Sequence, residues 1–188
     1  MANSYYTNTT YPLSRALNLL ALAGICGILL FAFIWQFAFN DLPCPLCLLQ
    51  RVAFVMIGIG LLLNLRFGPS AMHYGMIILS ALGGAFAAGR QVLLHIGAGD
   101  PGYGPPFMGL HFYTWALIFF IAFLGWTAIM LIVDRRCSDQ PNAQQVSRIA
   151  RSIMWVFVIL VAGNMVSTLL ECGFGACPDD PVSYLWLQ

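Results

Sequence analysis

Residues 16–39 read ALNLLALAGICGILLFAFIWQFAF, a run of 24 residues without a single charge. As a helix it extends about 36 Å, enough to cross the roughly 30 Å hydrocarbon core of a bilayer. It is too long for a signal-peptide core, and no small-residue cleavage site follows it, so it reads as a retained span. Four further apolar runs have spanning length or nearly so, at 48–65, 72–94, 112–133 and 152–170. The segments between them are short and no internal repeat is visible. The expectation is one membrane domain over 1–188, an all-α integral membrane bundle with no separate soluble domain. Composition agrees, with 60% hydrophobic residues, 8% charged and a mean hydropathy of +0.82. A net charge of +1 gives no reason to expect a nucleic-acid partner.

The arginines orient the spans. All eight basic residues are arginine. With the N-terminus cytoplasmic, the inner segments carry Arg15, Arg66, Arg135, Arg136, Arg148 and Arg151. The outer segments 40–47, 95–111 and 171–188 carry none. That asymmetry satisfies the positive-inside rule and puts the C-terminus outside.

Four of the six cysteines then fall on the outer face, where disulfides persist. Cys44 and Cys47, in DLPCPLCLLQR (41–51), precede the second span. Cys172 and Cys177, in ECGFGACPDD (171–180), follow the fifth. Cys26, within the first span, reads as a small core residue, and Cys137, on the cytoplasmic side, as a bystander thiol. The C-x-x-C pair admits three readings. A structural staple gains little from closing so short a loop. The four outer cysteines could instead hold zinc or copper in a non-enzymatic membrane protein. A redox-active dithiol benefits from a tight loop, from Pro45 between the sulfurs, and from a helix N-terminus, which favours a thiolate at Cys47. Spacing and setting favour the redox reading.

Two arginines lie inside spans, where a charge left in lipid costs at least a few kcal/mol. Arg51 follows Cys47 by one helical turn, and Arg90 lies four residues before the end of the third run. Both start about 6 Å below the outer surface. Snorkelling to the headgroups is the bland reading of each. Two such residues beside a dithiol point to an electron acceptor that develops negative charge, and a membrane quinone has that property. No haem, flavin or iron–sulfur motif is present. His95, one turn beyond Gln91, is a candidate proton donor; His73 and His111 are assigned no role. The aromatic-rich fourth run reads as lipid-facing or packing surface.

These residues resemble the DsbB family of bacterial disulfide bond formation proteins. The likeness rests on Cys44-Pro45-Leu46-Cys47 before a second span, on Leu48-Leu49-Gln50-Arg51 after it, and on Gly89-Arg90-Gln91 near the end of the third. It is read over the first four spans, a four-span core to which a fifth span is added. The resemblance implies a thiol oxidase of the bacterial inner membrane. Its partner would be a periplasmic thioredoxin-like (DsbA-like) dithiol oxidase, and its acceptor ubiquinone or menaquinone. Cys47 resembles the cysteine beside the quinone, Cys44 its exchange partner, and Arg51 the quinone-site arginine; Arg90, Gln91 and His95 join Arg51 as the candidate cofactor-binding residues. Well-known members carry the second cysteine pair between spans three and four. Here that loop has no cysteine, and Cys172–Cys177 takes the shuttle role by location and chemistry, with a structural staple of the tail as the alternative. The same chemistry run reductively, as in vitamin K epoxide reductase relatives, is the nearest alternative, because potentials set the direction.

Overall fold

The computed structural model describes residues 7–39, 41–97, 99–134, 147–178, 181 and 183–187. Five helices account for most of them: α1 (Thr7–Phe39), α2 (Pro45–Phe67), α3 (Ala71–Leu94), α4 (Phe112–Asp134) and α5 (Arg148–Cys172). A 3₁₀ turn at Leu185–Leu187 follows. No strand occurs among the described residues. Each helix is long and apolar enough to cross a membrane, and each apolar run read from the sequence lies inside one of them. Cys137, Arg135 and Arg136 lie outside the described residues.

The helix ends follow from local chemistry. Cys44 caps α2, accepting the Cys47 amide on its sulfur at 3.2 Å, and Pro45 takes the first position, where no donor is needed. Gly68, at φ 97°, ends α2. Ser70 and Ser147 cap α3 and α5 by accepting from Met72 (3.3 Å) and Ala150 (3.2 Å). Gly173, at φ 61°, closes α5 with its amide on the Leu169 carbonyl.

The core is a continuous apolar cluster. Leu22, Ile25 and Leu29 of α1 meet Phe54, Ile57 and Leu61 of α2, Ile77 and Ala81 of α3, and Phe120 of α4. Small residues let the helices approach closely, as packing inside a bilayer requires. A Cβ on Gly84 would stand 2.3 Å from the Phe120 ring, so α3 and α4 interlock there. At Gly58 the same test meets Phe157 of α5 at 2.3 Å. This notch seats the added helix, which otherwise presents mostly exposed residues.

Opposite the thiols, a buried polar cluster joins four helices. The Asn18 amide donates to the Tyr74 hydroxyl (3.1 Å), Tyr74 donates to Asp134, and Asn64 donates to Asn18 (3.1 Å). His73, left unassigned by sequence, is buried there with Nδ1 3.0 Å from Asn64 Oδ1. Unpaired, such groups would be costly in hydrocarbon, so the cluster fixes the register of α1–α4.

The Gly58 notch yields a test. Gly58→Ala is expected to destabilise the protein by about 1–3 kcal/mol through overpacking against Phe157. Combined with Phe157→Ala, it should cost clearly less than the sum of the two single changes. Unfolding of the purified protein in a denaturing detergent measures this, and strict additivity would show that α5 does not seat at Gly58.

Candidate active site

The cysteine motif occupies the cap and first turn of α2. The sequence placed the start of this span at 48, with Cys47 at the helix N-terminus. The helix begins at Pro45, so Cys44 is the cap and its sulfur, rather than that of Cys47, faces the open amides. Cys44 is buried at 6% exposure, Cys47 is half-buried, and both are free thiols. The Cys47 thiol is the main influence holding the Cys44 pKa down to about 7. The Cys47 backbone amide and the Gln91 side chain add to it, against the upward pull of burial. The thiolate expected at Cys47 is thus favoured at Cys44.

Gln91 organises the pair. Its amide nitrogen lies 3.3 Å from the Cys44 sulfur and 3.6 Å from the Cys47 sulfur, while its oxygen accepts from Gln50 at 2.8 Å. The sequence placed Gln91 at the acceptor site; the structure places it on the sulfurs instead. Its neighbour Arg90 does not join it. Gly84, Ala87, Ala88 and Gln91 form the buried face of α3, and Arg90, about 100° round the helix, is exposed and lines no part of the site. His95 is also outside the site. It caps α3, pairs with Asp100 at 3.1 Å and stacks on Tyr113 at 5.6 Å between ring centres.

Beside Cys47 opens an apolar cavity of ≈ 740 Å³ between α1, α2, α4 and the α3–α4 loop. Cys47, Gln50, Arg51 and Gln36 supply polar groups to its wall, and Trp35, Phe31, Phe54, Phe112, Trp115 and Phe119 supply rings. The fourth helix, read from sequence as lipid-facing or packing surface, turns its aromatic residues into this space. It does so because the α3–α4 loop folds over the cavity. Tyr103 donates to the Leu42 carbonyl (2.9 Å), and Trp115 donates to the Phe107 carbonyl (3.0 Å).

Arg51 is held rather than snorkelling. It donates to the Gln36 side-chain oxygen at 2.7 Å and to the Ala32 carbonyl at 3.3 Å, and its guanidinium lies 5.8 Å from the centre of the Phe33 ring. Gln36, at 2% exposure, donates onward to Ser167 of α5 (3.0 Å) and to the Tyr184 hydroxyl of the tail (2.8 Å). Asp41 stands at the cavity, its pKa raised by burial and pulled back by Trp35 and Arg51. Gln36, Gln50 and Asp41 were not singled out from the sequence. Gln36, a polar residue inside an uncharged span, was the available signal.

Cys172 and Cys177 form a disulfide with their Cα atoms 4.5 Å apart. Cys172 is buried and Cys177 is half-buried. Among the described residues no three of His, Cys, Asp and Glu gather as metal ligands, so the four outer cysteines do not converge on one centre.

An all-helical, multi-pass membrane protein carrying a thiol pair beside an arginine-lined apolar cavity is the class this geometry defines. Residues 14–103 match the family model described as Disulfide bond formation protein DsbB. That stretch covers most of α1, all of α2 and α3, and part of the next loop, stopping short of the fourth span over which the resemblance was read. Proteins named Disulfide bond formation protein B are similar to it. One from Nitrosomonas eutropha is 39% identical over 84 residues, covering 43% of this chain and 52% of that protein. One from Pseudomonas syringae pv. tomato is 39% identical over 97 residues, 47% of this chain and 57% of the relative. One from Hahella chejuensis is 28% identical over 152 residues, 62% of this chain and 90% of the relative. The chain spans about half the length of the first of these relatives. No solved structure matches. Over the matched region the chain is thus similar to the DsbB family of disulfide bond formation proteins, the likeness its motifs implied.

The Cys44 environment predicts a reactivity profile. A thiol with a depressed pKa is protonated and unreactive below it and a reactive thiolate above it. Alkylation of Cys44 by iodoacetamide in the reduced protein should rise with a midpoint near pH 7, not near the ordinary 9.0. Gln91→Leu should move the midpoint up by roughly half to one pH unit, the worth of one lost hydrogen bond. An unmoved midpoint would remove Gln91 from the thiol site.

Proposed function

We propose that the protein re-oxidises a periplasmic thioredoxin-like (DsbA-like) dithiol oxidase. Electrons pass through Cys172–Cys177 and Cys44–Cys47 to a membrane quinone, ubiquinone or menaquinone, and so support disulfide bond formation. The observation that carries this reading is a single apolar cavity lined by both Cys47 and Arg51. The arginine-free outer segments support a bacterial inner-membrane location with both cysteine pairs on the periplasmic side.

The cavity residues fit a quinone. At ≈ 740 Å³, with aromatic walls and a few polar groups, the space falls in the range of small-molecule sites. The rings of α1 and α4 would hold the flat head and the start of the tail, and Arg51 would face a carbonyl oxygen. A bound quinone supplies a sink for two electrons and two protons. The chain does the rest. The α2 cap and Gln91 keep Cys44 poised as a thiolate, and Cys47 presents its sulfur to the cavity. Gln36 and the Ala32 carbonyl aim the guanidinium so that charge developing opposite it is met by a fixed donor. At the other end, Cys177 is the more exposed sulfur of its disulfide and so the one a partner thiolate can reach.

Arg51→Ala tests the acceptor site. Loss of a charge-assisted hydrogen bond of about 1.5–3 kcal/mol should raise the apparent KM for a short-chain quinone by roughly one to two decades. Helical circular dichroism should be retained. Arg51→Lys should recover only part of the loss, since an ammonium lacks the guanidinium fork. An unchanged KM in Arg51→Ala would return this residue to a snorkelling role.

A further inference from the structure

Glu171 is the only glutamate in the chain. It occupies the last turn of α5, immediately before Cys172, and is 0% exposed. Neither carboxylate oxygen has a hydrogen-bond partner. A buried carboxyl with nothing to bond is costly, and one within a membrane span marks function by default. Its electrostatic neighbours are Arg51 and Cys44. The carboxyl is next in the chain to one cysteine pair and electrostatically coupled to Cys44 of the other, with the Arg51 charge offsetting its own.

We propose that Glu171 is the proton acceptor for thiol–disulfide exchange between Cys172–Cys177 and Cys44–Cys47. The inference rests on the electron path proposed above and adds the proton path. A partner dithiol first reduces the tail disulfide: one partner sulfur attacks the accessible Cys177 sulfur and releases Cys172 on the buried side, then the second partner sulfur displaces the first from Cys177, so the partner leaves as a disulfide and its two electrons and two protons stay on the Cys172 and Cys177 thiols. For exchange, the Cys172 S–H bond breaks and its proton passes to the Glu171 carboxylate. The Cys172 sulfur bonds a sulfur of the Cys44–Cys47 disulfide, and that disulfide breaks with its electron pair on the departing sulfur. The Cys177 thiol then attacks the Cys172 sulfur of the mixed disulfide, re-forming the tail disulfide and releasing the second motif sulfur. The two tail protons end on the two motif thiols, one of them by way of Glu171. Electrons and protons balance within the chain, and no further oxidant enters the step. Other groups bear on this path without replacing the carboxyl. Cys47 and Asp41 act on the same arginine, as does Tyr184 from the tail, but none of them adjoins Cys172.

The test uses the full-length protein in nanodiscs, with all four outer cysteines reduced, mixed anaerobically with a short-chain ubiquinone. Acid quenching and differential alkylation with mass spectrometry give the redox state of each pair over time. In wild type the motif pair should oxidise first and the tail pair follow by exchange. Glu171→Gln should slow tail-pair oxidation at pH 7 by about 10²-fold, the usual worth of a positioned base. The rate should climb back toward wild type as pH rises past the ordinary thiol range near 8.5, where thiolate forms unaided. Glu171→Asp, which keeps the carboxyl, should retain most of the rate and the wild-type profile. Three results overturn the assignment: an unchanged tail-pair rate in Glu171→Gln, slowing by one factor at every pH, or an aspartate variant as slow as the glutamine one. A wild-type motif pair that the quinone never oxidises would instead bring down the electron path itself, and the proton path with it.

Discussion

Arg51 carries its charge one helical turn below Cys47, where leaving it in lipid would cost at least a few kcal/mol. The surrounding chain meets that demand with Gln36. The Gln36 oxygen takes one arm of the guanidinium, and its nitrogen ties α5 and the tail to the same point through Ser167 and Tyr184. One interaction thereby holds α1, α2, α5 and the C-terminal segment in a fixed relation, and keeps the cation at the cavity wall. The cavity would close over or flood if α1 drifted from α2. Ser167 and Tyr184 would lose their bonds to Gln36 if α5 and the tail drifted from α1.

The spans were legible because an uncharged run of 24 residues has few outcomes other than a membrane helix. The motif cysteines and Arg51 were legible because thiols at a helix start and a charge inside a span each need an explanation. Errors came where the answer depended on rotation about a helix axis or on a loop. Arg90 and Gln91 are adjacent in sequence and equal in depth, yet small residues at 84, 87 and 88 bury Gln91 and turn Arg90 outward. The three-residue difference between Cys44 as cap and Cys47 as terminus hinged on Pro45 beginning the helix. The fourth helix gave an apolar pattern with no clear face, so only the fold of the α3–α4 loop reveals that its rings wall a cavity.

The fifth helix lies outside the family match, which ends at residue 103. It contributes Ser167, which bonds the Gln36 that holds Arg51, and Glu171, which is electrostatically coupled to Arg51. In the proposed path the second cysteine pair lies at the end of this span, immediately after Glu171. Phe157 seated at Gly58 and Ser167 bonded to Gln36 hold this helix against α2 and α1.

The central claim is that both cysteine pairs drain through one exit, Cys44–Cys47, into a quinone. Electron stoichiometry tests it most directly: fully reduced protein is mixed anaerobically with excess short-chain quinone, and quinol formed per chain is counted by absorbance. Two dithiols feeding one exit predict about two quinols for wild type, about one for a Cys172→Ser/Cys177→Ser double variant, and none for Cys44→Ser, because each two-electron step closes one disulfide. One quinol from Cys44→Ser would mean that the tail pair reaches the acceptor on its own, and would contradict the account.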